Sequence, residues 1–327
     1  MTILFYDGFL RYSSQYDVLT RINDNAAWHT GASAGLNIGS GRNGGNCMIG
    51  GYNSVVLNTP LATGAVQCAI DLNNSATFNI YLQDSAHGNG NQVTFTFNLS
   101  NGVLTATSGS NSWSTPNNTV PGPYTYFSFA AQVTIGASGT GSISAYINGV
   151  QVLNQPGVTT QQTAGTTFDT IVFTTIYGQY TDVCISTTLV GQDAYSIWIP
   201  ALANGATDQF TPLSGANYTN VNGLTQIAKY NSSATVGNVD LFTLSNSSIS
   251  GSTILSLEPG VQASRDNTGS HSMATYMRST SGTLTTGTSY ALSSTAIVFG
   301  TPYATDPATS SAWLTSALPQ VGYKLAA

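Results

Sequence analysis

The chain has 327 residues and a mass of 34.0 kDa, which at roughly 150 residues per domain corresponds to about two domains, each able to bury a core. Only 6% of residues are charged, with 7 Lys plus Arg against 13 Asp plus Glu and a formal net charge of −6. That excludes the clustered cations of a nucleic-acid binder or of a basic membrane-surface patch, while a hydrophobic share of 41% excludes a disordered acidic tail.

The opening MTILFYDGFLRYSS has no basic leader, apolar stretch or small-residue cleavage site, so no secretory signal is read and assembly inside a cell is expected. No run approaches the roughly 18 consecutive apolar residues of a membrane span. Gly31-Ala32-Ser33-Ala34-Gly35 matches GxSxG, but Leu36-Asn37-Ile38-Gly39 after it cannot start the helix that a nucleophile elbow needs. Gly39–Gly44 matches GxGxxG without a βαβ unit around it, and a glycine-rich turn is the better reading. Cys47, Cys68 and Cys184 are odd in number and widely spaced, which argues against a zinc site or a disulfide framework. Cys68 falls on a core-facing position as a small hydrophobe.

From Ala65 onward the dominant signal is alternation with period two. Val66, Cys68, Ile70 and Leu72 oppose Gln67 and Asp71. Phe78, Ile80 and Leu82 oppose Asn79, Tyr81 and Gln83. Val93, Phe95, Phe97 and Leu99 oppose Thr94, Thr96 and Asn98, and Phe127 to Ile135 continues the pattern. These are half-buried antiparallel strands, apolar inward and polar outward. Asn101-Gly102 and Asn148-Gly149 between such runs are type I′ hairpin signals. Further strands are expected near 168–175 and 180–187. Polar loops are expected at Ser108–Pro123, with Trp113 in it, and at Gln155–Thr167. The outward faces carry Thr, Ser, Asn, Gln and Tyr, which lose little rotamer entropy and can be buried in a permanent contact without the cost of desolvating ions.

This pattern predicts an all-β fold: an antiparallel β-sandwich of jelly-roll, concanavalin- or laminin-G-like type over 1–190, then a smaller β-rich domain over 191–327. The second domain is expected to hold strands near 195–201, 239–245, 253–262, 271–278, 289–299 and 320–326. Helical turns are expected at Tyr218–Leu224 and Asp306–Leu318, the latter opening on Asp306-Pro307.

Catalytic chemistry has little to stand on. Glycosidases need two carboxylates about the scissile bond, and the chain has one glutamate, Glu258. Asp169 and Asp182, on neighbouring expected strands, could meet, although loop anchoring is the simpler role. His29, His87 and His271 have neither ligand spacing nor a nucleophile beside them. No catalytic residue, metal ligand or cofactor is assigned, and a calcium site of Asp, Asn and backbone carbonyls stays open because such sites need no fixed motif outside the EF-hand. Trp113 with Tyr124 and Tyr126 forms a candidate saccharide platform.

Leu4-Phe5-Tyr6-Asp7-Gly8-Phe9 with Tyr12, then Trp28 and Gly41-Arg42-Asn43-Gly44-Gly45, resembles the opening of a group of tailed-bacteriophage virion proteins of the concanavalin-like jelly-roll type. Ala203-Asn204-Gly205, Phe210-Thr211-Pro212, Asn217–Val221, Ser232–Leu244 and Asp306-Pro307-Ala308-Thr309 with Trp313 resemble later motifs of the same group in the same order. The resemblance implies a non-enzymatic virion structural protein at the particle periphery, a tail-fibre or adhesin-type component that binds host glycan. Alternatives are a capsid decoration protein, a polysaccharide depolymerase and a free lectin. It implies other virion proteins and a homotrimer as partners, with neither nucleic acid nor membrane insertion, and a virion location after synthesis in the host cytoplasm. Thr181-Asp182-Val183-Cys184 departs from a paired acidic turn of the group. Tyr195–Pro200 replaces a charged strand, which makes Ile197 and Trp198 candidate subunit-interface residues.

Overall fold

The computed structural model describes residues 3–7, 26–30, 35–37, 42, 47–189, 199–221, 229–245 and 253–327. They fall into two compact units, one up to Leu189 and one from Ile199. Both are built of antiparallel strands, and among the described residues no helix is long and apolar enough to cross a membrane. Ile197 and Trp198 lie outside the described residues, as do the GxSxG segment before Gly35 and all of Gly39–Gly44 except Arg42.

The first unit is one 13-stranded antiparallel sheet folded on itself. Its strands are β1 (Ile3–Asp7), β2 (Ala26–Thr30), β3 (Gly35–Asn37), β4 (Cys47–Leu61), β5 (Thr63–Asp71), β6 (Thr77–Asp84), β7 (Gly90–Asn98), β8 (Val103–Ser108), β9 (Asn111–Ser114), β10 (Phe127–Thr134), β11 (Gly141–Ile147), β12 (Val150–Val158) and β13 (Phe168–Ser186). The expected pair of strands near 168–175 and 180–187 is the single strand β13, 19 residues long. Its first half lies between β4 and β6, its second half between β5 and β1. One strand therefore belongs to both layers. One layer runs β12-β11-β10-β5-β13, the other β13-β6-β7-β8-β9 with β4 on the far side of β13.

Between the layers the inward residues interlock as aromatic pairs. Phe95 of β7 meets Phe129 of β10 edge-on at 5.3 Å, and Phe97 meets Phe129 at 4.9 Å. Phe173 stacks on Tyr180 within β13 at 4.8 Å. The alternation in β6, β7 and β10 is thus the packing pattern itself. β5 departs from it: Gln67 and Asp71 are 2% and 7% exposed, so this central strand is buried on both faces rather than half-buried.

Loop geometry separates two similar dipeptides. Ile147 pairs with Val150, and Asn148 and Gly149 have φ of 49° and 76°, the two positive values of a type I′ turn. Around Asn101-Gly102 the closing pair is Asn98 with Val103, a four-residue loop with positive φ at Gly102 only. Ser108–Pro123 is not a loop throughout, because β8 and β9 form a hairpin within it, and β12 takes Gln155–Val158 from the second expected loop. Within β13, Ile176 and Tyr177 are extruded as a bulge. Gly178 closes it by donating its N–H to Thr175 Oγ1 at 2.9 Å, where a β-carbon would stand 2.6 Å from that oxygen.

The second unit centres on a five-stranded sheet of β14 (Ala201–Asp208), β17 (Val239–Leu244), β22 (Gln320–Leu325), β19 (Ser272–Arg278) and β20 (Leu284–Ala291), in that order. Two ribbons accompany it, β15 (Thr211–Pro212) with β16 (Asn231–Ser232), and β18 (Gly260–Ala263) with β21 (Ile297–Gly300). Phe210, Phe242, Met273, Leu292, Phe299, Tyr323 and Leu325 form one core. Leu257, Met277 and Trp313 form another.

Two expected strands shift, and a third is described only in part. Pro259 offers no N–H for a ladder, so β18 begins at Gly260. The run 289–299 breaks where Ser293 Oγ donates to Thr295 O. Residues 195–198 of the expected 195–201 strand lie outside the described residues, and β14 starts at Ala201. Asp306–Leu318 is a turn and irregular chain rather than a helix. Asp306 Oδ1 accepts Ala308 N–H at 2.8 Å and its carbonyl accepts Ser310 N–H at 2.7 Å. Ser310, at φ 57°, then leaves helical space. Trp313 Nε1 donates to Tyr303 O at 2.8 Å. Of Tyr218–Leu224, the described part is a 3-10 turn at Asn217–Asn220.

The fixed point of this unit is Asp240, 0% exposed. Its Oδ1 accepts Phe210 N–H at 2.9 Å. Its Oδ2 accepts Asn217 Nδ2 at 2.7 Å, Tyr323 Oη at 3.2 Å and Asn231 Nδ2 at 3.3 Å. Burial and the adjacent Asp240 push the Tyr323 phenol well above its ordinary value, so it stays a donor. Asp240→Asn turns an NH2 toward these donors, and urea denaturation should show a loss of roughly 2–4 kcal/mol, against a few tenths for Asp266→Asn at an exposed site.

Candidate functional site

β-Register determines which side chains share the outer face of β4-β13-β6-β7-β8-β9. Tyr52 lies opposite Thr174, Thr174 opposite Asn79, Asn79 opposite Thr96, Thr96 opposite Thr105 and Thr105 opposite Ser114. A second row crosses the same side as Ser54, Val172, Tyr81, Thr94, Thr107 and Ser112, its Ser54 and Val172 end being buried. Inward neighbours such as Ile80, Phe95 and Ala106 are wholly buried, whereas Asn79, Tyr81, Thr94, Thr96, Thr105 and Thr107 are half-exposed. The face exists because the polar halves of several alternating strands are aligned side by side.

The side chains on it are already oriented. Thr96 Oγ1 donates to Asn79 Oδ1 at 2.8 Å, and Asn79 Nδ2 donates to Thr174 Oγ1 at 3.5 Å. The Thr105 and Ser114 hydroxyls share a bond of 2.9 Å. Tyr52 is 49% exposed at one end of the first row. Beyond Thr174, the β13 bulge presents Ile176 and Tyr177, 74% and 58% exposed. The exposed parts of the two rows contain hydroxyls, an amide and tyrosines but no charged residue. Such a surface can exchange hydrogen bonds with a hydroxyl-rich neutral ligand and offer ring faces for stacking. It has no carboxylate pair for acid–base chemistry.

The aromatic trio expected from sequence is placed differently. Trp113 stands on edge strand β9 opposite Ala106, and so on the inward side of the strand whose Ser112 and Ser114 face outward. Tyr124 is 67% exposed at φ 58° and makes no ring contact with Trp113. Tyr126 donates its hydroxyl to Gln179 Oε1 at 3.1 Å, and Cys47 Sγ approaches the same oxygen at 3.5 Å. Burial pushes the Tyr126 phenol far up. Asp169 and Asp182 lie on the same strand, β13, and do not form the facing pair considered above. Asp169 anchors the β6–β7 loop by accepting Ser85 N–H at 2.9 Å and Ser85 Oγ, and also accepts the hydroxyl of its neighbour Thr170 at 3.1 Å. Asp182 has φ 55° at a bulge of the same strand.

The other polar cluster of this unit pins Gln161–Gly165 to the β6–β7 hairpin. Buried Asp84 accepts Thr163 Oγ1 and contacts His87 Nδ1, both at 2.7 Å. Gln92 Nε2 donates to Thr163 Oγ1 at 2.8 Å and to Gly165 O at 3.0 Å, while its Oε1 accepts Gln162 N–H at 2.6 Å. His87 Nε2 is not part of this net, and Ser85 is bound to Asp169 rather than to His87, so no nucleophile–base pair forms. His271 Nε2 lies 3.0 Å from Asn267 Oδ1. Among the described residues no three of His, Cys, Asp and Glu gather as metal ligands.

The register-defined face could not be read from any one segment. Its signal was the polar half of each alternating run, which acquires meaning only when strands distant in sequence are aligned.

No protein-family model matches the chain, and no curated protein matches it. Among solved structures, the chain is similar to an endo-β-1,4-glucuronan lyase from the fungus Trichoderma reesei at 11% identity, covering 59% of this chain and 98% of that one, with a TM-score of 0.42. It is also similar to a tetrameric galectin from the ball sponge Cinachyrella sp., at 13% identity, covering 41% and 99%, TM-score 0.33. A third is the carbohydrate-binding module CBM66 from Bacillus subtilis, at 7% identity, covering 50% and 98%, TM-score 0.34. At these scores no residue role passes to this chain. Fold and site together define an all-β sandwich with a polar, uncharged sheet face.

Two measurements probe the buried groups. Burial raises the Asp84 carboxyl, but the Thr163 and His87 hydrogen bonds outweigh it and hold it below the ordinary carboxylate value. A depressed folded value contributes stability above the unfolded value near pH 4 and loses it as pH falls through the lower folded value. Asp84→Asn should therefore lower stability at pH 7 by roughly 1–3 kcal/mol, and the gap from wild type should shrink below about pH 4. Burial also raises all three thiols, Cys47 to about 11 and Cys184 to about 12. Ellman's reagent at pH 8 should label none of the three in the native protein and all three in denaturant.

Proposed function

We propose that the protein is a non-enzymatic structural protein of a tailed-phage particle, carried at the periphery as a tail-fibre or adhesin-type component. Its first unit binds neutral glycan of the host surface through the outer face of β4-β13-β6-β7-β8-β9. The observation that carries the glycan reading is the pre-oriented Thr96–Asn79–Thr174 chain of hydrogen bonds beside exposed Tyr52 and Tyr177. Sugar hydroxyls both donate and accept, and a face of hydroxyl and amide groups can do the same without desolvating an ion. The virion reading rests on the ordered motifs from Phe5 to Trp313 and on a surface suited to permanent packing. Homotrimer formation belongs to the same proposal.

A glycan array probed with the full chain should give hits among neutral saccharides, little changed between low and high salt, because the face holds no charge to be screened. Removing both Asn79 and Thr96 side-chain bonds as Asn79→Ala with Thr96→Ala should weaken those hits about tenfold or more, with the fold unchanged by circular dichroism. Unchanged hits in the double variant would remove the face from the proposal. Immunogold labelling of intact particles should decorate their periphery, and unlabelled particles would end the virion reading.

A further inference from the structure

A separate groove of about 470 Å³ lies at one end of the five-stranded sheet of the second unit. Three strand ends meet there. Arg278, the last residue of β19, pairs with Gln320, the first residue of β22, and Thr243 and Leu244 close β17 beside the Phe242–Val321 pair. Ser279, Thr280, Ser316, Ala317, Leu318 and Pro319 complete its lining.

The groove has more donors than its own acceptors use. Gln320 Oε1 accepts Ala206 N–H at 2.8 Å, and its Nε2 has no acceptor among the described residues. The half-buried Arg278 guanidinium likewise has no carboxylate or carbonyl partner among them, and no Asp or Glu lines the groove. The exposed hydroxyls of Thr280 and Ser316 are also uncommitted. This differs from the other arginine described in the unit, Arg265, whose Nη1 donates to Asn267 O at 3.0 Å and to Gly269 O.

We propose that this groove binds a saccharide carrying a carboxylate. The guanidinium fork matches a carboxylate with two parallel hydrogen bonds. Gln320 Nε2 and the Thr280 and Ser316 hydroxyls match ring hydroxyls, and Leu244, Leu318 and Pro319 match an apolar sugar face. The volume falls in the range of ligand pockets, about 300–1,000 Å³. A polyphosphate fits poorly, since one cation cannot offset several charges brought to an acidic chain. The site is independent of the neutral face on the first unit.

The test titrates the full chain calorimetrically with tetragalacturonate and with sialyllactose, each as the free acid and as its methyl ester. At least one acid form should bind, its ester about tenfold or more weakly, and Arg278→Gln should abolish the difference. Arg278→Lys, which keeps charge but not the fork, should retain part of it. Ser316→Trp, at the exposed rim, should block binding without touching the core, so that a folding defect at position 278 cannot imitate the result. The proposal falls if neither acid binds, if acid and ester bind alike, or if Arg278→Gln or Ser316→Trp binds as wild type does.

Discussion

A buried carboxylate held by neutral donors is the interaction on which the second unit turns. Asp240 brings a backbone N–H, two asparagine amides and a phenol to one point. Those groups come from the segments at 210, 217, 231 and 323. An ion pair would have required stripping water from two charges, which attraction in the interior often fails to repay. Neutral dipoles fixed around one charge avoid the second desolvation, but each must be in place, because any of them left unmatched costs its own solvation. The Phe-Thr-Pro, Asn-Tyr and Val-Asp segments that stood out as ordered motifs are therefore parts of one hydrogen-bonded knot. The same solution recurs in the first unit, where Gln92 and Asp84 fasten Gln161–Gly165 without any lysine or arginine.

The inward half of the sandwich was legible because its constraint is local. Phe95 and Phe97, or Phe127 and Phe129, must lie on one side of a strand of period two, and the core is the only place for them. Asn148-Gly149 was legible for the same reason, since a two-residue loop needs its positive φ values from those two residues. The continuity of β13 was not. Thr175–Gln179 reads as a break because Ile176 and Tyr177 leave the ladder, yet the strand resumes across Gly178 and changes layer. That one misreading placed Asp169 and Asp182 on facing strands. Asp306-Pro307 carries a true helix-start signal, but Ser310 turns left-handed and the carbonyl of Asp306 is taken within the turn, so nothing propagates.

The sites were less legible than the core, because a site on a sheet is a property of register. Asn79, Thr96 and Thr174 each read as unremarkable polar positions. They become a hydrogen-bonded line only when β6 lies between β7 and β13. Arg278 and Gln320 are likewise brought opposite each other by the β19–β22 pairing. Trp113 drew attention as a large aromatic in polar sequence, and the β8–β9 hairpin turned it inward. Residue type alone selects conspicuous side chains, whereas alignment across strands selects cooperative ones.

So little charge leaves the sheets another problem, since natural edge strands are commonly guarded by lysines. Here geometry replaces charge. β9 has only four residues. β12 carries Pro156 and Gly157, the latter at φ 67°, and its pairing with β11 slips twice. β14 slips twice against β17, and β20 once against β19. Each of these edges is thus too short or too irregular to template a further strand. Blunted edges leave the sheet faces as the surfaces on which another molecule can settle with good complementarity. The same scarcity of ions that made bulges necessary at the edges makes the broad Thr-, Asn- and Tyr-bearing face of the first unit, and the Arg278 groove of the second, chemically distinct places on the surface.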